Sequence, residues 1–169
     1  MKSYDVILIG TGQATGTLVS GLNEMGMTLA VVEGDRVGGT CVNWGCTPTK
    51  TLVASARAAY MAARGPEFGV DIPRYSVSFP RVMERVNAIR YPGSDGMREW
   101  LQEVTDFYPG WARFEDAHTV AVGEERLYGR RIVIHTGARA RKPEIEGIDS
   151  VPWLDNRGIL ALERLPAHL

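Results

Sequence analysis

The sequence predicts an α/β protein: a parallel sheet wrapped by helices, followed by a small antiparallel β-meander. Three observations carry this. The run YDVILIG (residues 4–10) is aliphatic, rich in β-branched residues and closed by a glycine, which reads as a buried strand. A helical pattern and then a second aliphatic run, TLAVVE (28–33), follow it, and strand–helix–strand in so short a stretch makes a βαβ unit with parallel strands. Beyond residue 104 the apolar spacing shifts to period two, the mark of half-buried strands.

Taken in order, the first helix is expected from about Gly12 to Met25, with Leu18, Leu22 and Met25 on one face and Gly26 at the C-cap. A second helix should run from Thr47 to Ala63, Pro48 occupying the first turn where a missing N–H costs nothing, and Gly65-Pro66 ending it. A third covers Phe79 to Arg90 and a fourth Asp95 to Val104, divided by Tyr91-Pro92-Gly93. Phe107–Phe114, His118–Val122 and Arg131–Thr136 read as short antiparallel strands joined by glycine-containing turns. The tail, residues 151–169, has no strand of its own, and there is no internal repeat or low-complexity segment.

A chain of 169 residues is long enough to bury a real core. A formal charge of −1, with Lys and Arg scattered, gives no footprint for nucleic acid or an anionic membrane surface. Apolar runs such as Val6 to Ile9 fall far short of a membrane span, and the N-terminus does not read as a secretory signal, so the expected setting is cytoplasmic. Two cysteines are too few for a disulfide scaffold, which leaves metal binding, redox chemistry or coincidence.

The first strand runs into Gly10-Thr-Gly12-Gln13-Ala14-Thr15-Gly16. A strand, a glycine turn and a helix present backbone N–H groups and the positive end of a helix dipole to a pyrophosphate. Gly10 permits the tight turn and Gly12 a close approach of phosphate to backbone, while Glu33, closing the second strand, is placed for a ribose hydroxyl. The third glycine of the pattern is replaced by Thr15, which is expected to push the helix slightly outward. The bland alternative is a glycine-rich turn that binds nothing.

Both cysteines lie in GGTCVNWGCTPTK (38–50), with four residues between Cys41 and Cys46. As a metal site they supply only two ligands, and His118, His135 and His168 are far apart in sequence. As packing they would be small buried hydrophobes. As a redox pair they can be bridged if the chain turns at Asn43 to Gly45; the helix N-terminus expected beside Cys46 favours a thiolate, and Lys50 adds a positive charge one turn on.

That segment resembles the active-site signature of the pyridine nucleotide-disulfide oxidoreductases, flavoproteins that include dihydrolipoamide dehydrogenase, glutathione reductase and mercuric reductase. The wording CVNWGCTPTK is most similar to the mercuric reductase/dihydrolipoamide dehydrogenase-like branch. RIVIHTGARARKPEIEGID resembles the strand-plus-TG segment that closes over the cofactor, and residues 151–169 resemble a connector leading to a second glycine loop. The resemblance implies a Rossmann-like FAD-binding domain, with the FAD pyrophosphate at Gly10, Gly12, Gln13 and Ala14 and its ribose on Glu33. Gly38, Gly39 and Thr40 would continue that contact, Ala112 would meet the adenine, and Thr136 and Gly137 match the TG pair, although His135 stands where the family usually has alanine. Cys46 would face the flavin, Cys41 would be the interchange thiol, and Lys50 would lie near the flavin N5.

The implied function is passage of electrons from NAD(P)H through FAD to a Cys41–Cys46 disulfide and on to a small disulfide or a metal ion. Relatives are much longer and carry nicotinamide and dimerisation domains, so residues 1–150 match the first part of an FAD domain and 151–169 the connector. This chain alone is expected to lack NAD(P)H turnover, and its uncovered sheet edge invites self-association. Two other functions stay open: a non-catalytic FAD-binding fragment, and a flavin-free dithiol exchange protein.

Overall fold

The computed structural model describes residues 1–168; Leu169, the last residue of the expected connector, lies outside the described residues. The chain forms two compact units, the first made of Met1–Asn43 and Pro92–Arg139, the second of Trp44–Tyr91 and the segment from Ala140 onward.

The first unit holds one six-stranded sheet. Its strands are β1 (Lys2–Ile9), β2 (Leu29–Glu33), β3 (Asp106–Pro109), β4 (Ala112–Phe114), β5 (Thr119–Val122) and β6 (Glu125–Ile134). They lie in the order β3-β2-β1-β6-β5-β4. β1 pairs in parallel with β2 (Val6 opposite Leu29) and with β6 (Ile7 opposite Ile132), while β4, β5 and β6 form the antiparallel meander. The α/β expectation, a βαβ unit on a parallel sheet with a meander appended, is met.

Continuous aliphatic strands follow from burial on both faces. Ile7, Ile9, Ala30 and Val32 pack with Val120, Val122 and Leu127 in one cluster. Val6, Leu8, Leu29 and Val31 pack with Val19, Val37 and Leu101 in the other. Val19 comes from α1 (Thr15–Glu24), which Gly26 ends at φ +71°. The remaining helices are α2 (Gly39–Trp44), α3 (Cys46–Arg64), α4 (Phe79–Val104) and the short α5 (Asn156–Ile159).

Four expectations are corrected. The third and fourth helices are one, α4, which runs through Pro92. Met83, Val86, Arg90, Ser94 and Leu101 are buried at helical spacing on either side of it, and the exposed Pro92 sits off that stripe, so losing one N–H does not break the pattern. Phe107–Phe114 is two strands split at Gly110-Trp111, and the first of them, β3, joins β2 in parallel; period-two spacing marks a strand but not its direction. The segment before Thr47 is not a simple turn, because Gly39–Trp44 is the helix α2 and α3 already begins at Cys46. The last expected strand starts earlier, at Glu125, and stops at Ile134; residues 125–128 pair antiparallel with β5, while 131–134, expected to be antiparallel, pair in parallel with β1.

In the second unit, Arg85 on α4 donates to the Thr51 carbonyl of α3 at 2.8 Å. The guanidinium groups of Arg90 (5.2 Å) and Arg157 (5.0 Å) both lie close to the centre of the Trp44 ring. Asn156 donates to the Trp44 carbonyl at 3.0 Å, and Asp155 caps α5 by accepting from the N–H groups of Arg157 and Gly158. The connector has no strand among the described residues, as expected. No helix among the described residues is long and apolar enough to cross a membrane.

Candidate dinucleotide site and dithiol

In the first unit the parallel strands bring their C-terminal ends together, and the loops there carry the expected binding residues. β1 stops at Ile9 and the chain turns through Gly10, whose φ of +101° only glycine adopts without strain. A methyl group on Gly10 would come within 2.3 Å of the His135 carbonyl oxygen, so the turn is packed directly on the segment that follows β6. Gly12 is crowded from two sides. A Cβ there would meet His135 Nε2 at 2.7 Å, and a Cβ on Gly39 would meet Gly12 Cα at 2.9 Å. The glycines therefore serve loop-on-loop packing as well as any approach by phosphate.

Glu33 closes β2 and is half-buried. Its Oε2 accepts from the Thr11 N–H at 3.0 Å and from the Thr11 hydroxyl at 2.5 Å, and its Oε1 accepts from the Asp35 N–H at 2.8 Å. A carboxylate offers about four lone-pair sites, so one on Oε1 is left for a ribose hydroxyl. Thr11 was not among the expected residues; its signal is a hydroxyl between two loop glycines, where only a short polar side chain reaches the acid. The Thr11 hydroxyl also accepts from Gly38 N–H at 3.2 Å, tying the loop to the start of the cysteine segment.

Gln13 and Ala14 are exposed at the head of α1, and no side chain among the described residues caps that helix. The free N–H groups of a first helical turn call for some acceptor. Thr15, in place of the pattern's third glycine, is fully buried, and its hydroxyl has no hydrogen-bond partner among the described residues. Asn43 was also missed: buried, it donates to the carbonyls of Val37 (2.9 Å) and Gly39 (3.1 Å), fixing the turn that holds Gly38 and Gly39. Thr40 is exposed and Cys41 half-buried on α2. Ala112 begins β4, next to Trp111, whose ring covers Gly34, and Thr136 and Gly137 are exposed just past β6.

In the second unit, Cys46 is the first residue of α3, exposed and preceded by Gly45, which supplies no side-chain cap. Lys50 is exposed four residues on, hence on the same helical face. Pro48 and Thr51 are the residues that this end of α3 buries. Cys46 is a free thiol.

A parallel βαβ sheet carries the glycine loop and an acid at the end of its second strand, and the segment with both cysteines follows in sequence. The profile of the pyridine nucleotide-disulphide oxidoreductases matches residues 4–169, and the chain belongs to that family. It is similar to the mercuric reductase of Lysinibacillus sphaericus (29% identical, over 99% of this chain and 31% of the relative). It is 34% identical to the probable pyridine nucleotide-disulfide oxidoreductase RclA of Escherichia coli, over 100% of this chain and 36% of that one. The solved structure of the Cu(II) complex of the HOCl-induced flavoprotein disulfide reductase RclA superposes with a TM-score of 0.78 at 31% identity, covering 98% of this chain and 36% of that chain. The chain thus spans about a third of the length of these relatives.

The residues present fit FAD. Glu33 keeps a spare acceptor, and no side chain among the described residues caps α1.

Proposed function

We propose that this chain is the FAD-binding, dithiol-bearing portion of a flavin-disulfide oxidoreductase, residues 1–150 belonging to the FAD domain and 151–169 to a connector. The observation that carries the reading is Glu33 hydrogen-bonded to Thr11 inside the glycine loop, which presents an acid and an uncapped helix start at one sheet end. Gly10, Gly12, Gln13 and Ala14 would hold the pyrophosphate, Glu33 the ribose, and Gly38, Gly39, Thr40, Ala112, Thr136 and Gly137 the rest of the cofactor. FAD held there would supply the two electrons, drawn from NAD(P)H in a longer parent, that restore the dithiol, and Lys50 would be the residue nearest its N5 by the resemblance.

The thiols do the rest. The Cys41 thiolate attacks a substrate disulfide, forming a mixed disulfide and expelling one thiolate, which takes up a proton. The Cys46 thiolate then attacks the Cys41 sulfur, closing the Cys41–Cys46 disulfide and releasing the second thiolate. A small disulfide fits this exchange, a thiophilic metal ion would instead be bound by the two thiolates, and the setting we infer is the cytoplasm, where thiols stay reduced.

The test is a visible spectrum of the purified chain with added FAD, before and after dithionite. Flavin bands that stay with the protein, plus a long-wavelength band on reduction that Cys46→Ser abolishes, support the full reading. Retained flavin without that band leaves a non-catalytic FAD-binding fragment. A chain that exchanges disulfides but retains no flavin would be the flavin-free dithiol protein.

A further inference from the structure

We propose that the indole of Trp111 is a stacking platform for the nucleobase of the dinucleotide; the role rests on the FAD-binding reading above. β3 ends at Pro109, which lies opposite Glu33 in the parallel register, and the Gly110 N–H donates to the Glu33 carbonyl at 2.8 Å. Gly110 takes a φ of +152°, and the chain turns there into Trp111 and β4. Trp111 is thereby fixed beside the acid placed for the ribose.

A Cβ built on Gly34, the residue after Glu33, would stand 2.5 Å from Trp111 Cδ2 and 2.8 Å from both Cε2 and Cε3. Cδ2 is a ring-fusion carbon bonded to three ring atoms, so it is the nearest atom only where Gly34 lies against a face of the indole and not its edge. Glycine lets backbone and ring approach this closely. The side chain is still 70% exposed, so its other face is open to solvent.

A single exposed aromatic needs no explanation of its own. This one stands next to a carboxylate with a lone pair left for a ribose hydroxyl, at the sheet end that carries the glycine loop. A base on that ribose lies within one nucleoside of Glu33. An indole already seated on the backbone loses little freedom when a base stacks on it, and every base has a face to offer. The resemblance assigns a role to Ala112 and none to the residue before it, so the indole is an addition to the shared pattern.

The test is titration of the 169-residue chain, by calorimetry with FAD and ADP and by tryptophan fluorescence with ADP, comparing wild type with Trp111→Tyr and Trp111→Leu. ADP does not absorb where indole emits, so quenching by ADP is not energy transfer. The chain has four tryptophans, and a signal lost in both variants belongs to position 111. We expect ADP to quench the wild-type emission and neither variant to show that quenching. Trp111→Leu should weaken FAD and ADP by about tenfold, and Trp111→Tyr, which keeps an aromatic face, should retain most of the affinity. Undiminished FAD and ADP binding by Trp111→Leu, equal losses in the two variants, or quenching that survives in both would overturn the stacking role and leave FAD binding standing. A wild-type chain that takes up neither FAD nor ADP would overturn FAD binding and the stacking role together.

Discussion

Thr11 gives both its backbone N–H (3.0 Å) and its hydroxyl (2.5 Å) to one oxygen of Glu33, and the same hydroxyl accepts the N–H of Gly38. One side chain thereby joins the end of β2, the glycine loop and the entry to α2. Thr11 is 1% exposed, so water cannot replace a lost partner.

Thr11→Val keeps the shape and removes the hydroxyl. It should destabilise the fold by about 1–3 kcal/mol, because Glu33 loses a donor and the buried Gly38 N–H loses one of its acceptors. Urea denaturation measures this. Nucleotide affinity should fall with it, since Glu33 is then held by its backbone contacts alone; a valine variant as stable as wild type would show that the bridge contributes little.

Gly10→Ala and Gly12→Ala should differ in kind. At Gly10 the new methyl meets a backbone carbonyl at a positive φ, so overpacking and backbone strain of about 1–3 kcal/mol each combine and little soluble protein is expected. At Gly12 it meets the tip of the His135 imidazole, which can be removed. Gly12→Ala with His135→Ala should therefore be less destabilised than the two single changes added together, a favourable coupling read from a double-mutant cycle. Strict additivity would mean that the imidazole already lies elsewhere.

The two thiols should be distinguishable by access. Cys46 is exposed at the head of α3 and Cys41 half-buried on α2. Limited alkylation of the reduced chain followed by peptide mass spectrometry should label Cys46 first, and mild oxidation should protect both together. Preferential labelling of Cys41 would contradict the exposures described.

Acid should unfold the chain through two aspartates whose carboxyls the fold holds below the ordinary aspartate value. Asp5 accepts from the N–H (3.0 Å) and hydroxyl (2.9 Å) of Thr28, with Arg130 adding a smaller effect; Asp116 accepts from the N–H groups of His118 (2.7 Å) and Thr119 (2.8 Å). Folded values below unfolded ones mean that their stabilisation is complete above the unfolded pKa of about 3.9 and disappears as pH falls through the lower folded values. The urea midpoint should drop below about pH 4, and less steeply in Asp5→Asn and Asp116→Asn. Because backbone hydrogen bonds lead both shifts, added salt should change this drop little.

Much of this was legible in the amino acids, unevenly. β1 and β2 stood out because strands buried on both faces need an unbroken aliphatic run, and Glu33 and the glycine loop followed from their ends. Pro92 hid the continuity of α4, since a local helix breaker outweighs a stripe whose benefit comes from packing far along the chain. α2 escaped notice because its six residues begin at a glycine and depend on Asn43 bonding backward to Val37 and Gly39. The parallel pairing of β3 could not be read from alternation, which carries no direction. His135 was visible as a departure from the family's alanine, but only the coordinates place its ring over Gly12.

The strand order also governs how the chain comes into being. β1 is flanked by β2 and by β6, whose partner residues lie as far apart in sequence as Lys2 and Leu127. On a ribosome, β1 therefore has one neighbour early and waits for the other until nearly all of the first unit has been made, with its aliphatic residues uncovered meanwhile. Long-range parallel closure of this kind is slow, and synthesis at about 5–20 residues per second lengthens the exposure. Nascent chains stalled before β6 should accordingly engage chaperones and remain protease-sensitive, and those stalled beyond it should become resistant in one step.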